Sequence, residues 1–141
     1  MCGIIGYAGG REAEPLLVEG LRRLEYRGYD SAGIATLTTD RQFHVVKAVG
    51  RIDSLANKIG DQALAGTTGI GHTRWATHGA PSEANAHPHF GGNAKNPVLA
   101  LAHNGVIENY LPLKETLLAE GYTFASSTDT EVIAHLVARA R

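Results

Sequence analysis

The sequence has 141 residues, a formal net charge of -1 and 43% hydrophobic residues, which is typical of one soluble globular domain. Its basic residues are scattered and it has no run of about 20 apolar residues, so we expect neither nucleic-acid binding nor a membrane span. The single cysteine excludes an internal disulfide, and the first ten residues lack a signal-peptide pattern, so the cytoplasm is the expected location.

Hydrophobic periodicity divides the chain into nine elements. Strands are predicted over 2–8, 31–38, 42–49, 67–75 and 98–103, the second and third forming a hairpin. Helices are predicted over 12–24, over 53–64, from about 109, and from 128 to the end of the chain. The last helix opens with the capping-box spacing of Thr128 and Glu131. Residues 76–97 are predicted to form a long loop.

The start of the chain carries the most specific chemical signal. Cys2, the only cysteine, directly follows Met1, so removal of Met1 would place a thiol and a free amine on one carbon. An α-amine titrates at about 7.7–8.0, so near neutrality part of it is unprotonated and can accept the proton of the thiol. The alternative is that Cys2 is only a small buried hydrophobic residue.

Three further positions could take part in catalysis or substrate binding. Arg74 ends an apolar strand and could bind a carboxylate through two hydrogen bonds, or form a surface ion pair. Asn104 and Gly105 end another strand and together offer a side-chain amide and a backbone N–H, the donors of an oxyanion hole, although Asn-Gly is also an ordinary turn. Asp129 lies in the first turn of the last helix, where the helix dipole favours a carboxylate whatever its function.

The histidines are the remaining candidates for chemistry. Five of the seven fall within 72–103, namely His72, His78, His87, His89 and His103. None forms an i, i+4 pair on a helix, and there is no second cysteine, so no metal site is expected. We interpret most of them as hydrogen-bonded residues of loops and strand ends.

Several motifs together resemble one enzyme family. They are CGIIGY at 2–7, LRRLEYRGYDSAGIA at 21–35, GHTRWATHG at 71–79, AHPH at 86–89, HNGVIENY at 103–110 and STDTE at 127–131. In this order they resemble the glutaminase domain of the glutamine:fructose-6-phosphate amidotransferases, over the whole of residues 1–141. CGI and HNG alone would indicate only the wider class of N-terminal-nucleophile amidotransferases.

The resemblance implies a role for each site residue. Cys2 would attack the side-chain amide of L-glutamine and form a thioester, which water hydrolyses to glutamate after ammonia leaves. Asn104 and Gly105 would form the oxyanion hole, and Arg74 and Asp129 would bind the α-carboxylate and the α-ammonium of the substrate. The other implied residues line the pocket (Trp75, Thr77, His78) or position the terminal amine through their backbone (Arg27, Gly28). No cofactor or metal is implied.

The resemblance also implies an architecture, a four-layer αββα sandwich of the α+β class and N-terminal-nucleophile hydrolase type. The family's domain continues beyond 141 residues and precedes isomerase domains that bind the sugar phosphate, in a homo-oligomeric enzyme. We therefore expect a C-terminally truncated domain that lacks these partners. Three alternatives remain open: the glutaminase domain of another amidotransferase, a catalytically silent glutamine-binding fragment, and, more distantly, a metal-binding regulator.

Overall fold

The computed structural model describes every residue from Met1 to Arg141. Its strands are β1 (Gly3–Ala8), β2 (Ser31–Leu37), β3 (Phe43–Val49), β4 (Thr68–Arg74), β5 (His89–Asn93) and β6 (Asn96–Leu101). Its helices are α1 (Ala13–Leu24), α2 (Ile52–Ile59), α3 (Tyr110–Ala119) and α4 (Glu131–Arg139), with a 3₁₀ turn (Glu25–Arg27) after α1. All nine predicted elements are present. No helix combines the length and the apolar composition that a bilayer crossing requires.

The larger sheet brings together the ends of strands that are far apart in the sequence. Its order is β1-β4-β2-β3, and every pairing is antiparallel. Gly3 pairs with Thr73, and Ser31 pairs with Arg74. Because the strands are antiparallel, the start of β1, the end of β4 and the start of β2 therefore meet at one edge. Cys2, which precedes β1, is thus placed beside Trp75, which follows β4.

The apolar core lies between this sheet and helices α1 and α2. Leu17 and Leu21 of α1 are fully buried against glycine positions of β4. A Cβ atom at Gly69 would lie 2.7 Å from Leu17 Cδ1, and one at Gly71 would lie 3.1 Å from Leu21 Cδ1. Burial of one leucine side chain contributes about 1.5–3 kcal/mol. The two glycines therefore allow the helix to approach the middle of the sheet.

Helix α2 is shorter than predicted. The periodicity predicts a helix over 53–64, but the helix ends at Ile59. Gly60 follows with a φ of 57°, a left-handed backbone conformation that terminates helices. The apolar Leu64 lies beyond this stop and packs against the core from outside the helix.

The prediction of a loop over 76–97 is wrong in its last part, because β5 lies there and pairs with β6. Two neighbouring glycines hide this strand in the sequence. A Cβ atom at Gly91 would lie 2.1 Å from the carbonyl oxygen of Ala134 in α4, so only glycine allows the helix so close. Gly92 has a φ of 101° next to an irregularity in the pairing, which bends the strand.

The two sheets face each other between outer helices. The rings of Phe43 in β3 and Phe90 in β5 are 5.5 Å apart between centroids. A Cβ atom at Gly33 in β2 would lie 2.1 Å from the carbonyl oxygen of His87. Helix α4 packs on β5 and β6, α3 packs on α4, and α1 and α2 cover the opposite side of the larger sheet. This order of layers confirms the predicted α+β sandwich.

Gly91→Ala should lower the free energy of unfolding by about 1–3 kcal/mol, because the added methyl group forces α4 away from β5. Urea unfolding measures the change. Gly6→Ala is the matched control within a strand, since a Cβ atom there would meet its nearest atom at 3.9 Å. Equal losses for the two variants would contradict the close packing of β5 against α4.

Candidate active site

A cavity of about 470 Å³ lies at the edge where β1 begins and β4 ends. Its walls include nine of the ten predicted site residues: Cys2, Arg27, Arg74, Trp75, Thr77, His78, Asn104, Gly105 and Asp129. The tenth, Gly28, is buried directly beside it, where a Cβ atom would lie 3.1 Å from the carbonyl oxygen of Met1. The fold therefore brings the predicted residues together from distant parts of the sequence.

Backbone contacts fix the Cys2 side chain in this cavity. The N–H of Trp75 donates to Cys2 Sγ at 3.1 Å. The next residue, Gly3, donates its N–H to Thr73 Oγ1 at 3.1 Å. In the chain as it stands, the nitrogen of Cys2 belongs to the peptide bond with Met1, which also lines the cavity. The sulfur is thus positioned, while the amine is not yet free.

Asn104 provides an amide group next to Cys2. Its Nδ2 donates to the carbonyl oxygen of Cys2 at 3.1 Å, and its Oδ1 lies 2.8 Å from His72 Nε2. At the neighbouring Gly105, a Cβ atom would lie 2.8 Å from His103 Nε2, so a side chain at this position would displace the His103 ring. No backbone carbonyl of the chain accepts the N–H of Gly105. Asn104 therefore places a donor at Cys2, and the Gly105 N–H, in the wall of the same cavity, has no backbone acceptor.

Arg74 lines the cavity, but the residue as a whole is only 3% exposed. It donates to the carbonyl oxygens of His78, Gly79 (2.9 Å) and Ala80 (3.3 Å). A guanidinium has five N–H groups, so two remain for a ligand. Arg74 therefore also holds the turn at 78–80 against the cavity.

Asp129 lines the same cavity and is likewise 3% exposed. Its Oδ2 accepts the N–H of Ile107 at 2.6 Å, which ties α4 to the loop after Asn104. Trp75 is 53% exposed at the cavity, and the ring of His78 is 5.3 Å from that of Tyr110. One buried cation and one buried anion thus face the same space.

Sequence reasoning missed the histidines behind the cavity as members of the site. The ring of His87 stacks on that of His72 with centroids 4.1 Å apart and contacts that of His89 at 4.5 Å. Burial lowers the pKa of all three, that of His72 to about 4, so they are neutral near pH 7. No three side chains of His, Cys, Asp or Glu are grouped so that they could hold a metal ion.

A signal for these histidines exists in the alternation along β4 and in the spacing of His87 and His89. Alternation predicts that Ile70, His72 and Arg74 share one side of the strand. Alternation does not reveal which residues contact that side, because the glycines of β5 prevent this strand from being recognised in the sequence. Thr128 and Thr130 also line the cavity, and Thr128 Oγ1 lies 3.0 Å from His89 Nε2.

The predicted capping box at Thr128 and Glu131 is wrong. Helix α4 begins at Glu131, its N-cap is Thr130, and no side chain caps it. The Glu131 carboxylate instead accepts the N–H groups of Ala125 and Ser126, both at 2.8 Å, and the hydroxyl of Ser126. Burial alone would raise the pKa of Glu131, but His135 and these hydrogen bonds lower it below its ordinary range. Glu131 therefore anchors the segment that carries Asp129.

Glu131→Gln should lower the free energy of unfolding at pH 7 by about 1.5–3 kcal/mol, because hydrogen bonds to a buried charge are lost. A lowered pKa in the folded state means that this stabilisation is present above the pKa of an unfolded glutamate, about 4.3, and is lost as the pH falls below it. The difference from the wild type should therefore shrink in acid. Urea unfolding at several pH values measures it.

The control is Glu115→Gln on the exposed face of α3, which should leave stability unchanged. A difference between Glu131→Gln and the wild type that stayed constant from pH 7 to below pH 4 would contradict the anchoring role of the charged carboxylate.

Solved structures with this fold identify the class of protein. The structure superimposes on glutamine phosphoribosylpyrophosphate amidotransferase from B. subtilis with a TM-score of 0.81 and 34% sequence identity, covering 99% of this chain and 29% of that one. A second structure, described as the allosteric regulatory enzyme of purine biosynthesis, gives a TM-score of 0.82, with 34% identity over 99% of this chain and 30% of that one. The fold is thus that of an amidotransferase domain, which confirms the predicted fold class.

Sequence comparison identifies the family. The profile of the glutamine amidotransferase domain matches residues 40–140, and the chain belongs to this family. Glutamine–fructose-6-phosphate aminotransferase (isomerizing) from Bacteroides thetaiotaomicron is 56% identical over 137 residues, and that from Thermus thermophilus is 58% identical over the same length. The enzyme of the same name from Methanosarcina acetivorans is 59% identical over 138 residues. Each match covers 97% of this chain but only 22% of the relative, so the chain spans about a fifth of these relatives' length.

Proposed function

We propose that the chain hydrolyses the side-chain amide of L-glutamine to glutamate and ammonia, with Cys2 as nucleophile after removal of Met1. The main observation that supports this proposal is that one cavity is lined by Cys2, by Asn104 and Gly105 with their donors, and by the buried Arg74 and Asp129. A family match and a cavity of this composition support the same substrate, a zwitterion with a neutral amide.

The nucleophile needs a base, and in this proposal the amine of Cys2 supplies it. Once Met1 is removed, the amine accepts the thiol proton and the sulfur attacks the amide carbon. The tetrahedral intermediate collapses as the amine returns the proton to the leaving nitrogen, so ammonia departs and a thioester remains. Water then adds to the thioester, releases glutamate and restores the thiol. Arg27 and Gly28 position the amine, which is supported by the closeness of Gly28 to the Met1–Cys2 peptide bond, since a Cβ atom at Gly28 would lie 3.1 Å from the Met1 carbonyl oxygen.

The negative charge that develops on the amide oxygen needs donors that are already in place. Asn104 Nδ2 has two N–H groups, and only one of them is used by the carbonyl of Cys2. The N–H of Gly105 is also without a backbone acceptor. We propose that these two N–H groups form the oxyanion hole, because such donors stabilise the transition state more than the ground state.

Substrate recognition is proposed to use the two buried charges. The two remaining N–H groups of Arg74 bind the α-carboxylate of glutamine, and Asp129 accepts the α-ammonium. Trp75, Thr77 and His78 complete the wall of the pocket around the substrate. Both charges are almost fully buried, which strengthens their interaction with a zwitterion that displaces water.

In the longer protein we propose that the ammonia is used to make glucosamine 6-phosphate from fructose 6-phosphate. The names and the 56–59% identity of the relatives support this acceptor. In this proposal residues 1–141 are part of a glutaminase domain, its partners are isomerase domains of a homo-oligomeric chain, and the protein works in the cytoplasm. One alternative is that the ammonia is delivered to the acceptor of another amidotransferase. A second alternative is a catalytically silent glutamine-binding form, which the peptide bond between Met1 and Cys2 favours until it is cleaved.

Incubation with a chloroketone analogue of glutamine should alkylate Cys2 in protein whose intact mass shows the loss of Met1. Peptide mass mapping should place the label on the first peptide, and an excess of glutamine should prevent it. Protein that retains Met1 should react at least about tenfold more slowly, because its sulfur has no amine base. Labelling that glutamine does not slow would contradict the proposed substrate.

Asn104→Ala should lower kcat for ammonia release by about 10² to 10³ with little change in KM, because its donor acts mainly on the transition state. A coupled glutamate assay measures both constants. Asn57→Ala, at an exposed position of α2, is the control and should match the wild type. A loss below about tenfold in a folded Asn104→Ala variant would contradict the oxyanion role.

A further inference from the structure

The orientation of the Asn104 amide is determined by two hydrogen bonds to groups outside its own loop. Nδ2 donates to the Cys2 carbonyl at 3.1 Å, and Oδ1 lies 2.8 Å from His72 Nε2. A carbonyl oxygen only accepts, so the amide nitrogen must be the atom that faces Cys2, and the amide oxygen must face His72. The single polar group of the Asn104 amide that stays free is the second N–H of Nδ2.

The same logic fixes the tautomer of His72. Asn104 Oδ1 can only accept, so His72 Nε2 must carry the proton. A neutral imidazole has one N–H, which leaves His72 Nδ1 as an unprotonated acceptor. Nδ1 is buried and has no hydrogen-bond partner. A buried unsatisfied polar atom destabilises the folded chain, a cost that an apolar residue at this position would avoid.

His72 is also rigidly held. It is fully buried in the central strand of the larger sheet, where it pairs with Gly33 of β2 and Ile4 of β1. One side of its ring stacks on His87 with an angle of 12° between the planes. Because the His72 ring is buried and stacked on His87, it cannot follow a rotation of the Asn104 side chain. The strand therefore presents a fixed N–H donor to the amide oxygen.

We propose that His72 is a positioning residue that holds the Asn104 amide with its nitrogen toward the reacting carbon. This inference rests on the proposed function, because it assigns the free N–H of Asn104 to the oxyanion. Without His72, rotation of the amide by 180° would place Oδ1 where the negative charge develops. A donor would then become an acceptor, and the transition state would be repelled instead of stabilised.

The kinetic test is a double-mutant cycle. His72→Leu should lower kcat for glutamine hydrolysis by about tenfold to 10², with KM changed by less than about threefold. In the Asn104→Ala background, His72→Leu should have no further effect, because the amide through which His72 is proposed to act is gone. A purely structural role would lower kcat by the same factor in both backgrounds, and this result would overturn the proposal.

A conservative variant separates the hydrogen bond from the packing. His72→Gln keeps an N–H donor at nearly the reach of Nε2. It should therefore recover at least half of the decrease in log kcat that His72→Leu causes. Thr36→Val is the control, since Thr36 is a buried residue of the neighbouring strand whose hydroxyl bonds Ala65 away from the cavity, and it should leave kcat unchanged. No recovery in a folded His72→Gln variant would overturn the proposal.

An NMR measurement tests the arrangement independently of catalysis. In ¹⁵N-labelled wild-type protein, the long-range proton–nitrogen spectrum should show His72 as the neutral Nε2–H tautomer at pH 7. The two Asn104 side-chain amide protons should have distinct, slowly averaging resonances that shift or broaden in His72→Leu, which lacks the donor. An Nδ1–H tautomer would overturn the proposal even if glutamine were hydrolysed. The expected tautomer without hydrolysis would sustain the positioning contact while refuting the proposed function.

Discussion

The antiparallel pairing of β1 with β4 is the constraint on which the site depends. Because Gly3 pairs with Thr73, Cys2 lies beside the backbone of Trp75, and the N–H of Trp75 reaches the sulfur. A slip of one residue would turn every side chain of β4 to the opposite face and would separate these groups. The register of these two strands thus determines where Cys2, the proposed nucleophile, lies.

Strand β4 serves the core with one face and the site with the other. Gly69 and Gly71 leave space for the leucines of α1, while His72 and Arg74 face the second sheet and the cavity. The residues that build the fold and those that build the site therefore alternate within seven residues. This explains why the motif at 71–79 is dense in polar residues although its strand is almost entirely buried.

The buried charge in the wall of the cavity is carried by two residues, Arg74 and Asp129. Arg74 and Asp129 are both buried and both tied to backbone groups, so neither depends on the other to be satisfied. The neighbouring histidines are kept neutral by burial, so they add hydrogen bonds without adding charge. The cavity thus contains one fixed buried cation and one fixed buried anion, the two groups that the proposed zwitterionic substrate would meet.

The sequence predicts the elements well and the contacts between them less well. Strong alternation identifies β1 to β4, and local chemistry draws attention to Cys2, Asn104 and Asp129. Alternation does not reveal β5, because Gly91 and Gly92 interrupt the hydrophobic pattern at the point where the backbone approaches α4 closely.

Hydrogen bonds made by individual side chains are also not predicted from the sequence. The capping-box spacing of Thr128 and Glu131 is a local pattern. In the structure the Glu131 carboxylate instead accepts the N–H groups of Ala125 and Ser126. The bond from His72 to Asn104 likewise joins a strand to a turn that is 32 positions away. No periodicity in either segment contains this information, because it depends on how the two sheets face each other.

Trp75 gives this architecture a practical property. It is the only tryptophan of the chain, it stands half exposed at the cavity, and its ring meets that of Tyr29 edge to face at 6.2 Å between centroids. Indole emission depends strongly on how much water surrounds the ring. The protein therefore carries an intrinsic fluorophore at the mouth of its pocket, and occupancy can be followed optically without attaching a dye.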